Sequence, residues 1–334
     1  MNKIRILKTR FTELFRLWNA YSFKYALNNF IWWLCFYFRL PFSYRLSSYA
    51  IYNKTIWLDK YISNKYADII YRYKNNPPNR GTVYDYKIWV FWGQGQEKMP
   101  PLIKACYKQL TSFNANVILV TNQNVHQFIS LPSVIIEKVN SGYISWAHYS
   151  DIIRNTLLAQ HGGLWLDATV WVSGTIPIDK LKNWPIFSAN GNVTKTPRSV
   201  RFWTSYQWNW STWCMWAEST NHILYSFVSE MLQAIAKQEQ VWPDYVIQDY
   251  LIYFACRNFP KVKKEVEKSQ EWSCKYRNEL ANVMNEPYDE VQYRQLIQSD
   301  FFFKLSFRTS WKKEINGKLT YYGRILSGII DFRS

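Results

Sequence analysis

Residues 150–170 read Ser150-Asp151-Ile152-Ile153-Arg154-Asn155-Thr156-Leu157-Leu158-Ala159-Gln160-His161-Gly162-Gly163-Leu164-Trp165-Leu166-Asp167-Ala168-Thr169-Val170. The pattern predicts a helix over Ser145–Gln160 that stops at the Gly162-Gly163 pair. A short strand then begins at Leu164, and Asp167 closes it. Asp151 and Arg154 are three residues apart on the helix and share a face. Taken alone they read either as a surface ion pair or as groups facing a ligand. The Asp167 carboxylate suits burial poorly, so it either meets solvent at the strand end or faces a ligand.

Upstream, short apolar runs alternate with helical periods. Lys87–Trp92 reads as a strand. Pro100-Pro101 opens a helix through about Leu110, because proline is favoured in a first helical turn. Asn116–Thr121 reads as a second strand, Val125–Ser130 as a short helix and Val134–Val139 as a third strand. Strand–helix alternation of this kind implies an α/β fold, a mostly parallel sheet flanked by helices. Ligands of such sheets bind at the C-terminal ends of the strands.

The boundary of this region is visible in the charge. Residues 1–80 carry 14 Lys and Arg against three acids, Glu13, Asp59 and Asp68, together with 21 aromatic residues. The whole chain of 334 residues has a net charge of +17, so most of the excess lies in this segment. Asn75-Asn76-Pro77-Pro78-Asn79-Arg80-Gly81 reads as a linker or turn. The expected organisation is a basic, aromatic helical segment, residues 1–80, followed by an α/β domain, residues 81–334. The longest apolar run, Ile31–Phe38, has eight residues. That is too short to cross a bilayer as a helix, which takes roughly 20. Two readings of the segment stay open. Either it packs on the main domain, or it lies in a membrane interface with Trp32, Trp33 and Phe36 inserted and its basic residues on anionic headgroups. No apolar segment with a small-residue cleavage site follows the basic start.

Composition narrows the class. At 48% hydrophobic residues the chain has material for a large core, which argues against disorder. Five cysteines lie far apart with no Cys-x-x-Cys pair, and the four histidines form no metal-binding cluster. Free thiols in a reducing compartment are therefore expected. The basic, aromatic composition also permits a nucleic-acid or membrane-binding module. No nucleic-acid recognition signature is present, and the charge is confined largely to one end, so no nucleic-acid partner is expected. The stretch from Phe202 to Trp213 alternates aromatic with Ser, Thr, Asn and Gln residues. It reads equally as a buried loop or as a platform for sugar rings.

The run SDIIRNTLLAQHGGLWLDATV resembles the signature of the capsular polysaccharide synthesis glycosyltransferases, which are similar to the DxD-containing glycosyltransferase family 32. Lys87–Gly95, Asp244–Leu251, Lys304-Leu305-Ser306 and Leu319–Gly323 also resemble segments of that group, so the similarity spans roughly residues 85–326. It implies a GT-A-like fold, a nucleotide-sugar donor (UDP-hexose by analogy) and transfer with retention. The acceptor it implies is a saccharide or lipid-linked saccharide, and the location the inner face of the cell membrane, peripherally bound to an anionic surface. It also implies a divalent cation, Mn²⁺ or Mg²⁺, whose oxygen ligands carboxylates supply. On the matching positions, Asp167 would hold the metal and the donor ribose, with Thr169 where the wider superfamily has a second acid. Thr169 offers only a hydroxyl, which leaves the metal fewer charged ligands and admits a non-catalytic scaffold as an alternative. Asp151 and Arg154 would meet donor sugar hydroxyls or phosphate. Trp92 would stack on the nucleobase, unless it is a core residue. Asp249 would face the anomeric centre or the acceptor, unless it is a structural acid. If Asp151 and Arg154 serve the donor pocket, replacing either by alanine lowers turnover with little change in melting temperature, whereas a mere surface ion pair would leave activity nearly unchanged.

Overall fold

The computed structural model describes residues 3–38, 43–190, 210–272 and 274–328. Four helices open it: α1 (Lys3–Ala20), α2 (Phe23–Phe38), α3 (Ser43–Lys65) and α4 (Ala67–Asn75). The α/β part continues with β1 (Ile88–Phe91), α5 (Pro101–Phe113), β2 (Val117–Val120), α6 (Ser133–Asn140), α7 (Trp146–His161), β3 (Gly163–Leu166) and β4 (Val170–Val172). After these come β5 (Ile186–Ser188), β6 (Cys214–Ala217), α8 (Ile223–Gln238), α9 (Ile247–Asn258), α10 (Pro260–Ser269) and β7 (Phe302–Lys304).

The central sheet has the order β2-β1-β3-β6-β5. β1 pairs in parallel with β2 and β3, whereas β6 runs antiparallel to both β3 and β5. The sheet is therefore mixed, where the sequence suggested a mostly parallel one. The reason is local. After β3 the chain makes no helical crossover but turns at residues 167–170, where the Val170 amide donates to the Asp167 carbonyl at 2.9 Å. It then returns through β5 and β6. The run at Val134–Val139, expected as a strand, is helix α6. Pro132 fixes the extended residue before the helix, and Ile135 and Val139, one turn apart, are the buried side chains.

The start of β3 depends on its two glycines. Ser145 caps α7, accepting from the His148 amide, and Gly162 ends it at φ 63°. Gly163 follows at φ 89°, and a Cβ there would lie 2.4 Å from the Lys87 carbonyl oxygen. Only glycine lets α7 feed straight into a strand hydrogen-bonded beside β1. All four residues of β3 are buried.

Helices α1–α4 pack on the α/β part. Leu17, Tyr25, Leu58 and Ile62 share one buried cluster with Phe227 and Leu251. Lys54 and Asp244 form an ion pair at 2.7 Å with both side chains about 3% exposed. Tyr66 donates to Glu239 at 2.6 Å, and Asp59 accepts from Tyr250 at 2.8 Å. Trp33 is buried, and the Lys54 ammonium lies 4.6 Å from the centre of the Trp32 ring. Those two tryptophans are thus turned into the protein. The Phe36 side chain lies outside the described residues. Among the described residues no helix is long and apolar enough to cross a membrane. The five cysteines are unpaired thiols, as their spacing suggested.

Candidate active site

The C-terminal ends of β1 and β3 open into a cavity of about 660 Å³. Trp92, Asp151, Arg154, Asp167, Thr169 and Asp249 all line it. Six positions read from the sequence, spread over 158 residues, thus meet in one place. Of the aromatic stretch Phe202–Trp213, residues 202–209 lie outside the described residues. Of the remainder, Trp210 is buried, and Thr212 lines the cavity.

Arg154 joins the cluster. Its side chain is 8% exposed, so its pairing with Asp151 at 3.1 Å is not a surface ion pair. The guanidinium also donates to Asp167 Oδ1 at 3.2 Å, to Gln248 Oε1 at 3.3 Å and to Ser150 Oγ at 3.3 Å. Its plane lies over Trp165, 5.1 Å from the ring centre. The fork of an arginine can hold carboxylates of a helix and of a strand end together; a single ammonium cannot make all four contacts.

Asp167 sits in the turn after β3. Trp165, two residues earlier on the same face of the strand, donates its indole N–H to Oδ1 at 3.1 Å. Lys304 donates to Oδ2 at 2.7 Å and to Thr169 Oγ1 at 2.8 Å. The β4–β7 ribbon places that lysine, because Lys304 pairs with Val170 in its register. Burial alone would raise the Asp167 carboxyl, but Lys304 and Arg154 hold it down at about 2. Asp151 behaves oppositely. Burial pushes it up to about 7, with Asp249 and Asp167 adding to the rise and Arg154 opposing it. Asp249 lies in the first turn of α9 and is 6% exposed. Two carboxylates on one cavity wall are thus held far apart in protonation, an arrangement that acid–base sites share.

The fit to a divalent cation is poor. Lys304 already bridges Asp167 Oδ2 and Thr169 Oγ1, the two side chains the sequence offers for the metal. Oδ1 is taken by Arg154 and Trp165. Among the described residues no group of three or more His, Cys, Asp or Glu is placed to hold a metal ion. Residues 191–209 contain none of these residue types.

Trp92 follows β1, lines the cavity and meets Phe307 edge-on at 5.7 Å. Its indole N–H has no hydrogen-bond partner among the described residues. Sequence reading missed Trp146 and Tyr245, which line the same cavity and are 53% and 65% exposed. It also missed Lys304 and Arg308 as lining residues. The only signal for these two was the resemblance of the Lys304-Leu305-Ser306 segment.

No curated protein matches the sequence at a significant level. The profile of one family, described as capsular polysaccharide synthesis protein, matches residues 24–325. The match starts within the second helix and takes in nearly all of α2 and the whole of α3 and α4. A role in capsule biosynthesis follows from that coverage, and the chain belongs to the capsular polysaccharide synthesis protein family.

Proposed function

We propose that the protein is a glycosyltransferase that moves a sugar, a hexose by analogy, from a nucleoside diphosphate to a saccharide or lipid-linked saccharide acceptor. The observation that carries this reading is the Asp151–Arg154–Asp167 cluster, gathered around the buried Arg154 at the wall of a cavity large enough for a nucleotide sugar that Trp92 also lines. In this reading Trp92 stacks on the base. Asp167 and Arg154 bind the ribose and diphosphate, and Asp151 accepts from sugar hydroxyls. Asp249 faces the anomeric carbon or the incoming hydroxyl. The exposed rings of Trp146 and Tyr245 at the cavity edge suit the apolar faces of an acceptor saccharide.

In the transfer, the bond between the anomeric carbon and the β-phosphate oxygen breaks, and its electron pair leaves on that oxygen. The acceptor hydroxyl oxygen bonds the anomeric carbon and passes its proton to the departing diphosphate. The protein's part is to hold the acceptor hydroxyl on the same face of the sugar as the leaving diphosphate and to neutralise charge as it develops. Retention is the outcome the family resemblance implies. A panel of UDP- and GDP-sugars, assayed for release of nucleoside diphosphate with a saccharide acceptor, tests the reading, and the anomer of the product, read by NMR, tests retention. No release with any donor would refute it.

A further inference from the structure

We infer that the Lys304 ammonium takes the place of the divalent cation, so that the diphosphate is bound and released without a metal. This deepens the transferase reading and rests on it. An ammonium has three N–H donors. Asp167 Oδ2 and Thr169 Oγ1 fix two of them, at 2.7 and 2.8 Å. The third has no acceptor among the described residues, while the side chain is 28% exposed and lines the cavity. Lys304 is therefore anchored from behind by the would-be metal ligands and offers one charged donor to the front. Its backbone is fixed as firmly, because its amide donates to the Arg277 carbonyl at 2.7 Å and the next amide donates to the Thr169 carbonyl at 3.1 Å. With Arg154 beside it and Arg308 on the same wall, the cavity holds three cations against Asp151, Asp167 and Asp249. Such a balance leaves no excess negative charge to recruit Mg²⁺ or Mn²⁺, yet keeps fixed positive charge where a departing diphosphate would develop negative charge. Thr169 then has a positive reason to be threonine. A second carboxylate there would hold the ammonium as a closed ion pair, whereas a hydroxyl orients it and leaves its charge for the ligand.

Calorimetric titration of the full chain with UDP, GDP and inorganic pyrophosphate, in EDTA and in Mn²⁺, tests this without relying on turnover. Wild type should bind a nucleoside diphosphate equally in both conditions. Lys304→Met should weaken binding in EDTA by roughly 10- to 100-fold, the usual worth of a charge-assisted hydrogen bond. It should also gain a Mn²⁺ dependence that wild type lacks, because Asp167 and Thr169 become open. Lys304→Arg keeps the cation and should retain metal-independent binding, which separates loss of charge from loss of folding. Binding by wild type that requires Mn²⁺, with Lys304→Met unaffected, would overturn the lysine's role and leave the transferase reading standing. Absence of binding to all three probes in both conditions would overturn both.

A different observation carries a second inference: α1 and the start of α2 form a docking face for an anionic lipid surface. Phe11, Phe15 and Trp18 recur at i, i+4 and i+7 and are 50%, 53% and 45% exposed, and Phe23 beside them is 49% exposed. The rings are contiguous, Phe15 against Trp18 at 6.1 Å and Trp18 against Phe23 at 5.1 Å. Lys8 and Arg16 are exposed on the same helix, and its one acid, Glu13, is paired with Arg10. An apolar stripe beside exposed cations fits headgroups and the acyl boundary of an anionic bilayer. The face differs from the one the sequence suggested, since Trp32 and Trp33 are turned inward. It precedes all cavity-lining residues, and α1 lies outside the family-matched residues 24–325.

The test is co-sedimentation of the full chain with phosphatidylcholine vesicles, with and without phosphatidylglycerol, over a range of salt. Wild type should bind only the anionic vesicles and release with salt. The triple variant Phe11→Ser, Phe15→Ser, Trp18→Ser should bind more than about tenfold less, with its melting temperature unchanged. The exposed Tyr84→Ser, away from this face, should bind as wild type. Equal binding by the triple variant, or salt-independent binding to neutral vesicles, would refute the inference. A wild-type dimer that the triple variant abolishes, without vesicle binding, would refute it too and identify the stripe as a contact between copies.

Discussion

Asp151→Asn should make the protein more stable and less active, and the gain should depend on pH. Burial, with Asp249 and Asp167 nearby, lifts the Asp151 carboxyl from 3.8 to about 7 in the folded chain. Between those values the folded protein holds a proton that the unfolded chain has lost, so stability falls as pH rises. Above about 7 the full penalty applies. At about 1.4 kcal/mol per pH unit the rise corresponds to about 4 kcal/mol. The side chain is 15% exposed, so little of this is lost to solvent screening. Asparagine keeps the shape and cannot ionise. Its advantage over wild type should grow by about 3 kcal/mol from about pH 5 to about pH 7, then stay level to about pH 8. Urea unfolding of both proteins across that range measures it. With an m-value of about 3 kcal/mol per molar, the difference in midpoint should widen by about 1 M. His148, which burial lowers to about 4, and Asp300, which burial raises to about 6, also bend each curve below pH 7. Both are common to the two proteins and cancel in the difference. Turnover of the variant should fall, because the amide removes the charged acceptor. A pH-independent difference, or a variant less stable than wild type at about pH 8, would refute the account of Asp151 as a strained, functional carboxyl.

Three further outcomes follow from the same geometry. Arg154→Met should cost about 3 kcal/mol, seen as a melting temperature about 4 °C lower, because it strands two carboxylates that are 15% and 26% exposed. Its burial replaces the expectation, drawn from helix spacing alone, of little change in melting temperature. Asp167→Asn should lower turnover by about 10²- to 10³-fold while the chain still folds, with nucleoside diphosphate release as the assay. Gly163→Ala should cost at least about 3 kcal/mol, since it combines positive φ with a Cβ driven onto the Lys87 carbonyl, whereas Gly95→Ala, also at positive φ but in open space, should cost only about 1–2 kcal/mol in the same denaturation assay.

What the sequence revealed and what it hid divide along contact range. Ser145, the Gly162-Gly163 pair and the apolar triplet of β3 act within a few residues of themselves, so helix, stop and strand were legible. Asp151, Arg154 and Asp167 sit within 17 residues, and the element order alone brings them to one strand end. The antiparallel half of the sheet was not legible. β5 has three residues and β6 four, and both are wholly buried, so neither shows the alternation that marks a strand. Val134–Val139 misled for a related reason. β-branched residues at i and i+4 fit a helix face as well as a strand, and Pro132 tipped the balance.

Lys304 is the instructive omission, because the chemistry of Asp167 cannot be settled without it. Apart from the family resemblance of Lys304-Leu305-Ser306, nothing local distinguishes it from the other lysines. It becomes a site residue through the pairing of β7 with β4, a strand 130 residues earlier that exists only because the chain turns at Asp167. The residue that makes the turn and the residue that answers its charge are therefore set by one feature. An Asp-Ala-Thr turn with no partner ribbon would present an open carboxylate and invite a metal. The same turn with a lysine registered opposite Val170 presents an ammonium instead. What answers the charge of Asp167 is thus set by a strand far from the motif, and the motif alone does not contain the ammonium that the β4–β7 pairing brings to it.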